Sequence, residues 1–354
     1  MHSNYFSDNP DLLFHLQNPV LEELSTLRED DFRQAERFPQ APTDFAAALA
    51  LYVDKLSLLG RLCAEEIAPR ASAVDREGAH FEQGKVSYAK DSKENLRLLT
   101  EAGLMGVTLP REYGGLNFPC TVYTMMTEMV SRADASLQNL FGLQDIAKTI
   151  LLFGDEQMRQ KYLPRFASGE ADGAMALTEP EAGSDLQSVQ TSAVPDPDSG
   201  RWLLNGHKHF ITNGCARIIL VLARSEPGSV DGRGLSLFLL ENGPGVEIKS
   251  IEDKLGLHGS PTCELLFHDA PAQLIGQRRR GLTRYVMSLM NGARLAIAAQ
   301  AQGIAEAAYR LALEYCGKRE QFGKTLRQLA PVSEMLLRMK VNIMAGRSLL
   351  YETS

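Results

Sequence analysis

The chain has 354 residues, is 44% hydrophobic and 23% charged, and carries a formal net charge of -7. That length allows two or three domains with sizeable cores, and the composition is that of ordinary globular chains. The acidic balance gives no electrostatic reason to expect nucleic acid or an anionic membrane as partner, and no apolar run reaches the length of a membrane span.

Five cysteines (Cys63, Cys120, Cys215, Cys263, Cys316) are scattered and never fall at ligand spacing. This fits a reducing compartment better than a disulfide framework or a zinc site. The N-terminus lacks the basic stretch and apolar run of a signal peptide, so the expected location is the cytoplasm.

Residues 1–44 are polar, acidic and broken by Pro10, Pro19, Pro39 and Pro42, and read as an N-terminal extension that wraps the body or is loosely ordered. Residues 45–173 read as an all-α domain. Its first helix, DFAAALALYVDKLSLLGRLCAEEIAP, is expected to stop at Pro69; a later one is capped by Ser92 and ends on Gly103 and Gly106. From 174 to 277 the period shortens to that of strands. Asn205-Gly206 predicts a tight hairpin, and the evenly spaced turns predict a small barrel or sandwich.

Residues 278–354 return to helical spacing. One helix carries a stripe at Ile297, Ala301, Ile304, Ala308, Leu311 and Tyr315; a second opens on Pro331 and continues through Val332, Met339, Ile343 and Leu350. Two such helices cannot bury both stripes with each other alone. The expectation is a bundle with only its first two long helices present, the rest lying beyond Ser354 or coming from another chain.

Nucleotide motifs are mostly absent. No G-x-G-x-x-G occurs, and in GKREQFGKT five residues separate Gly317 from Gly323 where a P-loop needs four. His207 and His209 share a strand face without a third ligand, which reads as exposed hairpin residues and no metal. The loop ALTEPEAGSD, 176–185, is different. Gly183 between Ala182 and Ser184 can bring backbone N–H groups close to an anion, flanked by the hydroxyls of Thr178 and Ser184.

With its companions, this loop resembles the acyl-CoA dehydrogenase family. MALTEPEAGSDLQSVQTSA resembles the flavin-loop signature, and NGHKHFITNG the second flavin segment, with Phe210 where tryptophan is common. DKLGLHGSPTCELLFHDAPAQLIG resembles the late β-domain signature, with His258 where arginine is usual. ARLAIAAQAQGIAEAAYRLALEYCGKREQFGK resembles the first bundle helix and the R-x-Q-F-G-K after it. The resemblance runs from about residue 45 to the last residue. It implies a multidomain α+β fold: N-terminal all-α domain, middle β-barrel or sandwich, C-terminal helical bundle.

It also implies FAD as cofactor, an acyl-CoA substrate, an electron-transfer flavoprotein as acceptor, and a homodimer or homotetramer. Met175, Leu177 and Thr178 would contact the flavin ring, and Gly183 and Ser184 the phosphate. Phe210, Ile211 and Thr212 would line the ring's other side, with Arg319 and Phe322 reaching the FAD of a partner subunit. Ser184, Asn291 and Arg294 match substrate-side positions. The implied reaction removes an α-proton and a β-hydride to give the trans-2-enoyl-CoA.

Family members carry the base either just before the arginine of the first bundle helix, here Ala293, or in a late loop. Glu306 and Glu314 match neither position, so the catalytic residue is unknown and expected beyond Ser354. The alternatives are a non-catalytic FAD-binding or subunit-assembly homologue, and an acyl-CoA oxidase that passes electrons to oxygen.

Overall fold

The computed structural model describes residues 4–354. In chain order the helices are α1 (Pro10–Leu16), α2 (Val20–Arg28), α3 (Gln34–Arg37), α4 (Phe45–Leu62) and α5 (Ala68–Glu77). A small hairpin, β1 (His80–Glu82) and β2 (Lys85–Ser87), precedes α6 (Lys90–Glu101), α7 (Cys120–Ala133), α8 (Ala135–Gly142), α9 (Asp145–Phe153) and α10 (Glu156–Ala167). Seven strands follow: β3 (Gly173–Ala176), β4 (Ser192–Asp196), β5 (Arg201–Thr212), β6 (Ile218–Arg224), β7 (Leu235–Glu241), β8 (Val246–Ile251) and β9 (Thr262–Ile275). The chain ends with α11 (Met287–Lys318), the two-residue strands β10 (Glu320–Gln321) and β11 (Lys324–Thr325), and α12 (Ala330–Thr353). Helices, then strands, then two long helices is the order expected.

The chain divides into two compact units. One comprises the chain up to Ala71, Asn117–Gln138 and Arg294–Ser354; the other comprises Ser72–Leu116 and Asn139–Ala293.

In the first unit the N-terminal segment is ordered and packed. Leu12, Leu16 and Leu21 are buried, and the Ser25 hydroxyl lies 3.1 Å from that of Tyr52 on α4. Arg347, on α12, is fully buried among three carboxylates: Glu128 at 2.6 Å, Glu306 at 2.9 Å and Asp11 at 2.5 Å. The expected stop at Pro69 does not occur. A π-helical turn, Cys63–Ile67, joins α4 to α5, so the helix passes through the proline. Wider turns of this kind take up the geometry a proline disturbs.

The second unit is built on a closed ring of strands, β6–β4–β5–β9–β7 and back to β6, with β3 on β6 and β8 on β9. Side chains alternate along these strands, and both faces are covered. Ile219, Val221 and Ala223 of β6 join Phe238 and Leu240 of β7 inside the ring. Ile218, Leu220 and Leu222 join Leu235, Leu237 and Leu239 in a second core with Ile146, Ile150 and Phe166 of the helices. Strands covered on both faces read as continuous apolar runs, which is why IILVLA is unbroken.

Two local expectations fail here. No hairpin forms at Asn205-Gly206; β5 runs through it. Asn205 is instead spent across the sheet, donating to Asp269 Oδ1 at 2.7 Å and accepting from the Asp269 N–H at 2.9 Å. Gly206 marks an irregularity in register, and a Cβ there would lie 2.7 Å from Thr191 Cα. A glycine in a strand can mark close backbone approach as well as a turn. Ser92 does not cap α6 either: the cap position is Ala89, and Ser92 is buried within the first turn.

Candidate functional site

The loop beyond β3 is fixed from inside. Glu179 and Ala182 exchange backbone hydrogen bonds of 2.9 and 3.1 Å around Pro180 and Glu181, and Glu181 points out. Glu179 itself is buried. Its carboxylate accepts from Gln190 N at 2.7 Å, Thr191 N at 2.9 Å, Thr191 Oγ1 at 2.5 Å and Lys208 Nζ at 2.8 Å. Lys208 has no exposed surface and also donates to Leu177 O at 2.8 Å. Burial pulls the Lys208 ammonium down to about 8 against the attraction of Glu179. Burial also raises the Glu179 carboxyl, but Lys208 and the Thr191 and Gln190 donors outweigh it and hold it below its ordinary value. A buried charge pair with its remaining hydrogen bonds satisfied is the arrangement that can offset the desolvation cost.

This scaffold brings the two predicted segments together. The His209 N–H donates to Thr178 O at 2.9 Å, so the loop and the end of β5 are neighbours. Thr178 and Met175 are half-buried, Gly183 and Ser184 exposed, and Leu177 and Ile211 buried, so the last two can offer backbone rather than side chain. Phe210 is 57% exposed and sits at φ 60°, where a bulky residue is strained. Thr212 is half-buried, in register with Thr262 of β9. Beyond it, Asn213 donates to Asp172 Oδ2 at 3.0 Å, and the Tyr88 hydroxyl bridges the same two side chains at 2.5 and 3.1 Å.

The loop's outer side is open. Asp185 is turned back on its own loop, accepting from Gln187 N at 3.2 Å and Ser188 Oγ at 2.8 Å. A Cβ on Gly183 would meet only Thr178 Cγ2, at 3.9 Å, so the chain leaves that side open to a ligand.

The histidines are not exposed hairpin residues. Both are half-buried, and each holds a carboxylate: His207 with Glu264 at 2.7 Å, His209 with Glu252 at 2.8 Å.

The helical candidates are placed as follows. Asn291 and Arg294 lie on exposed positions of α11, both engaged by other residues. Arg319 directly follows that helix, its carbonyl accepting from Leu326 N at 2.8 Å. Phe322 and Gly323 form the turn of the β10–β11 hairpin at φ 54° and 69°, and the Phe322 ring is 90% exposed. Glu306 is spent on Arg310 and Arg347, and Glu314 is ion-paired with Lys318.

Sequence reasoning missed Glu179, Lys208 and Thr191. One signal was present: period two along β5 puts Lys208 on the same face as the buried Leu204. An inward lysine requires an anion.

A helical region, a closed barrel covered on both faces, two long helices and a loop pinned from inside make this a multidomain α+β protein. The family models described as acyl-CoA dehydrogenase N-terminal, middle and C-terminal domains match residues 57–170, 174–270 and 280–354. An acyl-CoA dehydrogenase of Bacillus subtilis is 39% identical over 267 residues, covering 73% of this chain and 69% of that one. Butyryl-CoA dehydrogenase from Megasphaera elsdenii superposes with a TM-score of 0.78 at 34% identity, covering 85% of this chain and 78% of its own. An acyl-CoA dehydrogenase from Bacillus anthracis, solved in complex with FAD, gives 0.76 at 27% identity, over 85% of this chain and 50% of the other. The chain belongs to the acyl-CoA dehydrogenase family, a family of FAD-dependent oxidoreductases. No described helix is long and apolar enough to cross a membrane.

Proposed function

We propose that this chain binds FAD and serves the α,β-dehydrogenation of an acyl-CoA thioester to the trans-2-enoyl-CoA, with electrons passing to an electron-transfer flavoprotein. The observation that carries this reading is the loop 178–191, held by the Glu179–Lys208 pair and hydrogen-bonded to the Phe210 segment. FAD, when bound, supplies the acceptor for the substrate's β-hydride.

The chain's own residues supply position and field. Met175 and Thr178, with the backbone of Leu177, would form one wall for the ring. Phe210, the Ile211 backbone and Thr212 would form another. Gly183 and Ser184 would hold the phosphate through N–H and hydroxyl donors, Ser184 also touching the CoA portion of the substrate. Arg319 and the Phe322 ring would reach the FAD of a second subunit, and Asn291 and Arg294 the substrate side. Glu306 and Glu314 are spent on ion pairs and do not serve as the base.

The test is spectroscopic. Purified protein should carry a yellow flavin that exchanges with added FAD, and anaerobic addition of a saturated acyl-CoA should bleach it where a carboxylate base faces the thioester, which neither Ala293 nor the ion-paired Glu306 and Glu314 supplies. A colourless protein that takes up no FAD overturns the reading. FAD uptake without bleaching by any acyl-CoA leaves a binding protein. Reoxidation by oxygen in preference to an electron-transfer flavoprotein marks an oxidase.

A further inference from the structure

We infer that His209, held by Glu252, is a positioning residue for the Phe210 ring, and through that ring for the flavin; this rests on the functional reading above. In a regular strand His209 and Phe210 would point to opposite faces. Here the register slips between Lys208 and Ile211, and Phe210 adopts φ 60°. Both rings therefore emerge on one side and lie stacked, centroids 4.1 Å apart and 6° from parallel. His207 extends the stack, 5.8 Å from His209 and tilted by 25°.

Each imidazole is anchored by a carboxylate from a neighbouring strand or the segment just after it. Glu264 of β9 holds His207 at 2.7 Å and also accepts from Lys249 and Ser250 of β8 at 2.9 and 2.8 Å. Glu252, just past β8, holds His209 at 2.8 Å, while its own N–H is fixed on Thr262 O at 2.8 Å. The imidazole covers one face of the Phe210 ring, and the ring's exposure lies elsewhere. Left-handed backbone at a bulky residue costs free energy, and such strain persists where the surroundings over-determine it. The surroundings here are the imidazole stack, and what they gain is a fixed aromatic surface beside Thr178.

The test uses FAD binding to the apoprotein, followed by flavin fluorescence, and the visible circular dichroism of the bound flavin. His209→Ala removes the stack and the contact with Glu252 but keeps the backbone bond to Thr178, so it leaves the loop tie intact. It should weaken FAD binding about threefold to tenfold, the range expected for one aromatic contact, and alter the flavin dichroism. His209→Phe keeps a ring and should restore most of the affinity. Glu252→Gln, which keeps a hydrogen-bonding side chain without the charge, should fall between them. Wild-type FAD affinity and dichroism in His209→Ala would overturn the assignment while leaving the functional reading standing. Failure of the wild-type chain to bind FAD overturns both.

Discussion

At Lys208 an ammonium with no exposed surface is balanced by one carboxylate and one backbone carbonyl. Removing it leaves Glu179 charged, buried and short of its counter-ion, which typically costs about 3–5 kcal/mol. Lys208→Met should therefore lower stability in a denaturant titration by about that amount and weaken FAD binding with it. Because the two residues share one network, the Lys208→Met/Glu179→Gln pair should recover part of the loss, and strict additivity would argue against the network. Gly206 is the steric counterpart. A Cβ there would sit 2.5 Å from Thr191 Oγ1 and 2.7 Å from Thr191 Cα, so a rotamer change alone cannot relieve it. Gly206→Ala should cost about 1–3 kcal/mol by overpacking and push Thr191 away from Glu179. Loss of stability without loss of FAD binding would show that the loop tolerates the shift.

The elements built from these residues were legible where one periodicity dominated. The unbroken apolar runs of β6 and β7 and the Ile343 and Leu350 positions of α12 reflect burial that the local sequence records, whereas the stripe of α11 does not, since it faces solvent. Misreadings arose where a local signal had a second physical use. Asn205-Gly206 carries turn chemistry, yet the amide is spent on Asp269 and the glycine on Thr191. Pro69 carries a helix stop, yet a π-turn absorbs it. At the proposed site, the motif supplied the glycine and hydroxyl candidates. The pair that holds them could not, because Glu179 and Lys208 are 29 residues apart and meet only through the barrel.

Two elements carry predictions of their own. In the β10–β11 turn, Phe322 at φ 54° occupies a position that suits Asn or Gly. Phe322→Asn should raise unfolding stability by up to about 1 kcal/mol and lower FAD affinity in the assembled protein, a stability–function trade-off. Equal FAD affinity would remove Phe322 from the cofactor site. Across β5, β8 and β9, Glu264 is held down to about 2 by Lys249, Ser250 and His207, against some burial. Its unfolded value is near 4.5, so between those pH values the unfolded chain binds more protons. The contribution is fully present above about pH 4.5 and is lost as the pH falls toward 2. Melting temperature followed across that window should fall for the wild type and less steeply for Glu264→Gln.

At the scale of the whole molecule, the stripe first read in α11 is solvent-facing along its length. Ile297, Ile304, Leu311 and Tyr315 are 57, 46, 69 and 60% exposed, and Ala301 and Ala308 beside them are exposed as well. What α11 buries is its more polar side: Gln300 donates to Ala135 O at 2.8 Å, Gln302 to Ile343 O at 2.8 Å, and Glu306 holds Arg347. The helix therefore spends hydrogen bonds and charge on its own unit and leaves its apolar face over. Met335, Leu337, Val341, Met344 and Leu349 of α12 are exposed in the same way. Contiguous apolar surface of this kind is uncommon on monomers and marks interaction sites. Alanines between the larger residues allow another helix to approach closely, and a second copy of the chain offers the same stripe in return, as isologous pairing requires. Sedimentation of this chain should accordingly show concentration-dependent self-association. Ile304→Glu with Leu311→Glu places two charges at the centre of the stripe and touches none of the α11 hydrogen bonds to the unit. The double variant should sediment as a monomer with an unchanged far-ultraviolet spectrum. If it associates as the wild type does, the stripe is not the contact.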